Sequence, residues 1–163
     1  MKRLLVVYHT MTGAAQQLAT AAHSAAREGG DCEAALLTAS AADAPHVLGA
    51  DGYLFVTPEN LATMAGRMKD FFDRVYYHVL DRVNGRPYAT IIAAGTDGEG
   101  AARQIQRIAT GLRLNAIAPP LIIRNGAQTT EQILAPKTVR EDDLQRAREL
   151  GLALAAGLAS GIF

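Results

Sequence analysis

The chain lacks most of the features that would commit it to a partner at first sight. Its single cysteine, Cys32, excludes an internal disulfide and fits a reducing compartment. Tryptophan is absent and aromatic residues make up 6% of the chain, so a flat ligand would find few aromatic rings to stack on. Sixteen basic residues balance 16 acidic ones and neither sign forms a stripe, which argues against nucleic acid as a partner. No apolar run approaches the roughly 20 residues of a membrane span. The run after Lys2 and Arg3 is also too short for a secretory signal, so the chain reads as cytoplasmic. Repeats, low-complexity segments and linkers are missing too. A length of 163 residues predicts one domain, residues 1–163, able to bury roughly 68–70% of its unfolded surface.

What is present is alternation. Leu4–Tyr8, Cys32–Leu37, Gly52–Val56, Tyr88–Ala94 and Leu121–Arg124 read as strands. Thr12–Glu28, Ala42–Leu48, Met64–Val83, Gly100–Leu114 and Arg140–Ala159 read as helices. Strands that are apolar throughout are buried on both faces, which requires a parallel sheet covered by helices. The expected architecture is α/β: a doubly wound five-stranded parallel sheet of order 2-1-3-4-5 in three layers, α/β/α. In such a sheet ligands lie at the carboxyl ends of strands one and three, where the winding reverses. The polar segment Asn125–Val139 reads as a loop, long for a connection and therefore a candidate to cap a substrate or meet a second subunit.

Three loops converge on that edge. The first, His9, Thr10, Met11, Thr12, Gly13, Ala14 and Ala15, passes directly from strand to helix. A helix N-terminus offers unpaired N–H groups and the positive end of its dipole, and the two threonines add hydroxyl donors. No lysine lies inside it, so the loop reads as a neutral phosphate cradle rather than the nucleoside-triphosphate loop G-x-x-x-x-G-K-[ST]. The second loop carries Thr57, Pro58, Glu59, Asn60, Leu61 and Met64. The third carries Gly95, Thr96, Asp97, Gly98 and Gly100. A ligand with a phosphate at one end and a flat, polar-edged ring at the other would touch all three, and FMN is such a ligand.

YHTMTGAAQQLA is similar to the flavodoxin phosphate loop T/S-x-T-G-x-T, matched by Thr10, Thr12 and Gly13, with Ala15 replacing the last hydroxyl. TPENLATMAGRMKDFFDR resembles the second flavin loop and following helix of flavodoxin-like NAD(P)H-dependent FMN and quinone reductases. Thr57, Pro58, Glu59, Met64, Gly66, Met68, Lys69, Phe72, Asp73 and Arg74 carry the match. The resemblance implies a flavodoxin-like fold, FMN as cofactor, and NAD(P)H as electron donor. It also implies a small-molecule acceptor or redox protein as partner, with room for a homo-oligomer. Leu61 stands where the reductases often have an aromatic residue, so the ring would stack on aliphatics, on a partner subunit, or on Tyr76, Tyr77 or Tyr88.

No side chain is expected to be catalytic, because the flavin carries the chemistry. No metal is expected either: His23, His46 and His78 lack partner spacing, and Asp97 and Glu99 read as solvated turn residues. His9 either balances the phosphate charge or bonds the loop backbone. A phospho-receiver reading fails because Tyr8, His9 and Thr57 stand where acids are needed. The functional expectation is an oxidoreductase passing electrons from NAD(P)H through FMN to a quinone, a flavin or another small acceptor. The alternatives are a flavodoxin-type carrier, and a flavin-free interaction protein.

Overall fold

The computed structural model describes Met1–Phe163. Its elements are β1 (Lys2–Tyr8), α1 (Ala14–Glu28), β2 (Cys32–Thr38), α2 (Ala44–Gly49), β3 (Gly52–Asn60), β4 (Thr63–Met64) and α3 (Gly66–Val79). They continue with β5 (Pro87–Ala94), α4 (Glu99–Gly111), β6 (Asn115–Ala116), β7 (Leu121–Arg124), α5 (Thr130–Leu134) and α6 (Glu141–Ser160). The main sheet runs β2-β1-β3-β5, with β6 and β7 both pairing β5, and every one of these pairs is parallel. The expected order 2-1-3-4-5 is therefore present, with its fifth strand broken in two around Pro119 and Pro120.

Successive residues of each strand feed opposite layers. Leu4, Val6, Leu54, Val56, Ala89 and Ile91 pack with α1 and α6, in a core that includes Leu18, Ala22, Ala147 and Leu154. Leu5, Val7, Tyr53, Phe55, Tyr88 and Ile92 pack on the other face with α2, α3 and α4. Alternation between two buried layers explains strands with no polar face, and it gives the expected three layers, α/β/α. Cys32 lies in the first core, where burial pushes its thiol above the ordinary range.

Several boundaries differ from the sequence reading. β3 continues four residues beyond Val56, because β4 folds back antiparallel on its end with Glu59 opposite Met64 and Asn60 opposite Thr63. That hairpin consumes Thr63 and Met64, so α3 starts at Gly66; it stops at Val79, just before Asp81 adopts a φ of 61°. α1 starts at Ala14 rather than Thr12, since Gly13 is its N-cap at φ 103°. The Asn125–Val139 segment contains the short helix α5, held by a reciprocal capping box between Thr129 and Gln132. No helix is long and apolar enough to cross a membrane.

Candidate functional site

The carboxyl ends of β1, β3 and β5 open into a cavity of about 510 Å³. The first loop contributes Thr10, Met11, Thr12, Ala14 and Ala15 to its walls, and the second contributes Pro58, Glu59, Asn60 and Leu61. The third contributes Gly95 and Thr96, next to Ala93 and Ala94 at the end of β5. Three loops far apart in sequence thus share one space, of a size usual for small-molecule sites. Asn125, Ala127, Ile133, Leu134 and Lys137 close it from a fourth side.

The first loop is built to leave donors free. The Gly13 N–H donates to Thr10 Oγ1 at 3.1 Å, curling the loop, and the left-handed Gly13 then starts α1 with no side-chain cap. As a result the N–H groups of Thr12, Ala14, Ala15 and Gln16 have no acceptor within the protein. The start of α4 makes an instructive contrast. It too begins at a left-handed glycine, Gly98 at φ 104°, with no cap of its own. There a carboxylate fills the gap: Glu59 Oε1 accepts from the Gly98 N–H at 2.8 Å and Oε2 from the Ala101 N–H at 3.2 Å. Two helix ends of one geometry open at the same edge. One already holds an oxyanion, and the other presents the same kind of donors to the cavity.

Residues expected at the site but absent from the cavity walls mostly shape it. Thr57 is buried, its Oγ1 accepting from the Ala65 N–H at 3.2 Å and donating to the Pro58 carbonyl at 3.1 Å. The side chain of Met64 is buried, and its N–H donates to Gln104 Oε1 at 2.8 Å. A side chain on Gly98 would strike Ile122, and one on Gly100 would collide with the Ala62 carbonyl, so the second and third loops pack backbone against backbone. Asp97 accepts the Glu99 N–H at 3.2 Å, and Arg124 holds both loop residues by bonding the Asp97 carbonyl and Glu99. His9 lies with Nε2 at 3.3 Å from Met11 Sδ. Burial, with the Arg67 guanidinium adding to it, lowers the His9 pKa from its ordinary value, which disfavours the charged ring.

The tyrosines considered for stacking are not on the walls. Tyr88 is in the core, and Tyr76 and Tyr77 pair with each other on α3. Aliphatic and thioether side chains stand at the mouth instead: Met11, Leu61, Ile133 and Leu134 are all exposed, Leu61 by 99%. Leu61 and Ala62 form the β3–β4 turn with φ of 51° and 65°. Two-residue hairpins demand such angles, and Asn-Gly usually supplies them. Alanine there is strained, so Ala62→Gly is expected to stabilise the protein by about 0.5–1 kcal/mol. Thermal and urea unfolding would check this, and a lower midpoint would contradict it.

Two residues of the site left no trace in the sequence reading. Gln17 reaches back to the loop: its Nε2 donates to the Gly13 and Lys137 carbonyls at 3.0 and 2.8 Å, and its Oε1 accepts from the Val139 N–H at 3.0 Å. Lys137 places its Nζ 3.4 Å from Thr12 Oγ1, so the cradle is not neutral as expected. The lysine comes from outside the loop, 125 positions along the chain.

The family model described as NADPH-dependent FMN reductase matches residues 41–128. A flavodoxin of Aquifex aeolicus (strain VF5) is 30% identical over 100 residues, which are 61% of this chain and 54% of the flavodoxin. The chain therefore aligns with about half the length of that relative. Among solved structures, a flavodoxin from the domain Archaea has a TM-score of 0.77 at 16% identity, over 96% of this chain and 98% of its own. The flavodiiron protein from Giardia intestinalis has a TM-score of 0.79 at 20% identity, over 99% of this chain and 38% of that one. At these identities the structural likeness speaks for the fold.

Proposed function

The chain belongs to the NADPH-dependent FMN reductase family, and we propose that it is an oxidoreductase that binds FMN and passes electrons from NAD(P)H to a small acceptor. The observation that carries this reading is the set of unpartnered N–H groups at the start of α1, opening into a cavity bounded by all three switch-point loops. Such donors suit a phosphate, and the chemistry of the whole lining suits FMN. The Thr10 and Thr12 hydroxyls can donate to phosphate oxygens beside the α1 N–H groups. Asn60 and Thr96 offer polar contacts at the ring end, and Met11, Leu61, Ile133 and Leu134 offer apolar ones.

FMN, when bound, supplies the hydride-accepting ring and returns electrons to a quinone, a flavin or a similar acceptor. The chain's own residues bind, orient and cover. Thr10, Thr12 and Gly13 set the phosphate end, Pro58 to Leu61 set one side of the ring, and Gly95 and Thr96 set the other. Residues 1–163 act as a single FMN-binding unit in this reading. The absence of an acid–base triad on the walls is compatible with it, since hydride transfer to a flavin needs none.

The likeness to a flavodoxin supports a second reading, an electron carrier without NAD(P)H activity. Net charge favours the enzyme: a carrier steered to redox partners gains from a strong charge, and this chain has none. The test is spectroscopic. Purified protein mixed with FMN and freed of excess ligand should stay yellow, and NADH or NADPH added without oxygen should bleach it. Colourless protein would overturn the flavin reading. Colour that dithionite bleaches but neither nicotinamide does would favour the carrier.

A further inference from the structure

We propose that Lys137 is the counter-charge for the ligand's terminal phosphate, and that it makes this site prefer a phosphorylated flavin to the unphosphorylated one. The inference rests on the flavin reading above and adds a residue from the far end of the chain. Lys137 is the one basic residue on the cavity walls, and Glu59, the one acidic residue there, is occupied by the start of α4. The Lys137 ammonium has no carboxylate partner. Its contacts are the Thr12 hydroxyl at 3.4 Å and the carbonyls of Ile133 and Ala135 at 2.9 and 2.5 Å. Neutral acceptors leave the full positive charge available beside the free N–H groups of α1. His9, the other candidate cation of the loop, is disfavoured as a charged ring by its burial and by the Arg67 guanidinium.

The position of that charge is fixed by backbone bonds. The Lys137 N–H donates to the Thr12 carbonyl at 2.8 Å, and the Lys137 carbonyl accepts from Gln17 Nε2 at 2.8 Å. Gln17 Oε1 then takes the Val139 N–H, so one amide side chain clamps the strap on both sides of Thr138, directly after the lysine. Gly13 has no side chain to stand between the strap and the loop. A phosphate monoester is mostly a dianion at neutral pH. A lysine held in place beside N–H donors strengthens each contact to it without moving. Riboflavin ends in a neutral hydroxyl and gains little from the same charge. The charge of the lysine, whose three N–H groups are taken by Thr12, Ile133 and Ala135, partly offsets the donor that Ala15 withholds.

A purely structural role for Lys137, closing the end of α5, predicts something different: both flavins would be lost alike. Flavin fluorescence titrations of the whole chain separate the two. Lys137→Met should weaken FMN roughly ten- to a hundred-fold while riboflavin changes by less than about two-fold. Lys137→Arg should retain most of the preference. Added salt should weaken FMN more in the wild type than in Lys137→Met. Equal loss of both flavins, or unchanged FMN binding, would overturn the assignment of Lys137 alone. Wild-type protein that binds neither flavin would overturn the underlying reading, and this inference with it.

Discussion

Replacing Arg86 by alanine should cost about 3–5 kcal/mol of stability while leaving flavin affinity unchanged. Arg86 opens the turn into β5 at the edge of the sheet opposite the cavity. Its Nη1 lies within bonding distance of the Val47, Leu48 and Ala50 carbonyls and of the Tyr53 hydroxyl, and its Nη2 donates to the Arg82 carbonyl at 3.2 Å. The three carbonyls are the open C-terminal end of α2, a helix of six residues too short to persist alone. Tyr53, buried beside them, donates its own hydroxyl to the Val47 carbonyl at 2.8 Å. Truncation would leave the Leu48 and Ala50 carbonyls partly buried and unpaired, while Val47 keeps its bond from Tyr53, and each charge-assisted bond is worth about 1.5–3 kcal/mol before relaxation and water recover part of it. For a chain of this size the midpoint should fall by roughly 10 °C. Arg86→Lys should recover only part, because an ammonium cannot span the fork of acceptors. A loss below about 1 kcal/mol would show that water replaces the guanidinium readily.

Arg86 also marks where the sequence stops being legible. The layers could be read because each strand needs apolar residues at consecutive positions, and Leu4–Val7 or Ala89–Ala94 announce that need locally. The three loops could be read because strand, glycine and helix start are adjacent in sequence. A guanidinium bonded to carbonyls has no such local pattern. Arg74, which pairs with Asp70 one turn back on α3, also bonds the Ala39 and Ala42 carbonyls across the β2–α2 turn. Lys137 is the same case at the site: nothing near it in sequence points to Thr12. The β3–β4 hairpin was hidden for another reason, since Leu61-Ala62 occupies a turn whose usual signature is Asn-Gly. The signal for α5, in contrast, was present and unread: Thr129 followed three residues later by Gln132 is a capping box.

Glu59→Ala should be the most damaging change inside the site, lowering stability by about 2–4 kcal/mol and FMN affinity at least roughly ten-fold. The carboxylate does what no residue of α4 does for itself. Gly98, the N-cap, has no side chain, and Glu59 reaches across from the end of β3 to accept two N–H groups of the helix start. Its negative charge also faces the positive end of the α4 dipole. The same bonds tie the second loop to the third, at the point where Gly100 lets the Ala62 carbonyl approach α4. Without them the strained Leu61–Ala62 turn would lose its anchor, and both sides of the proposed ring slot would loosen together. Glu59→Gln should fall between, because an amide has one acceptor oxygen and no charge for a helix end that needs two bonds. Denaturant unfolding and FMN titration of both variants read the two effects separately. If Glu59→Ala unfolds like the wild type and still binds FMN as tightly, the loops are held by backbone packing alone. The parallel between the filled end of α4 and the open end of α1 would then lose its force. If it fails in both measurements, the protein itself demonstrates what a left-handed glycine at the start of a helix on this edge is for: receiving an oxyanion, from the chain at α4 and from the ligand at α1.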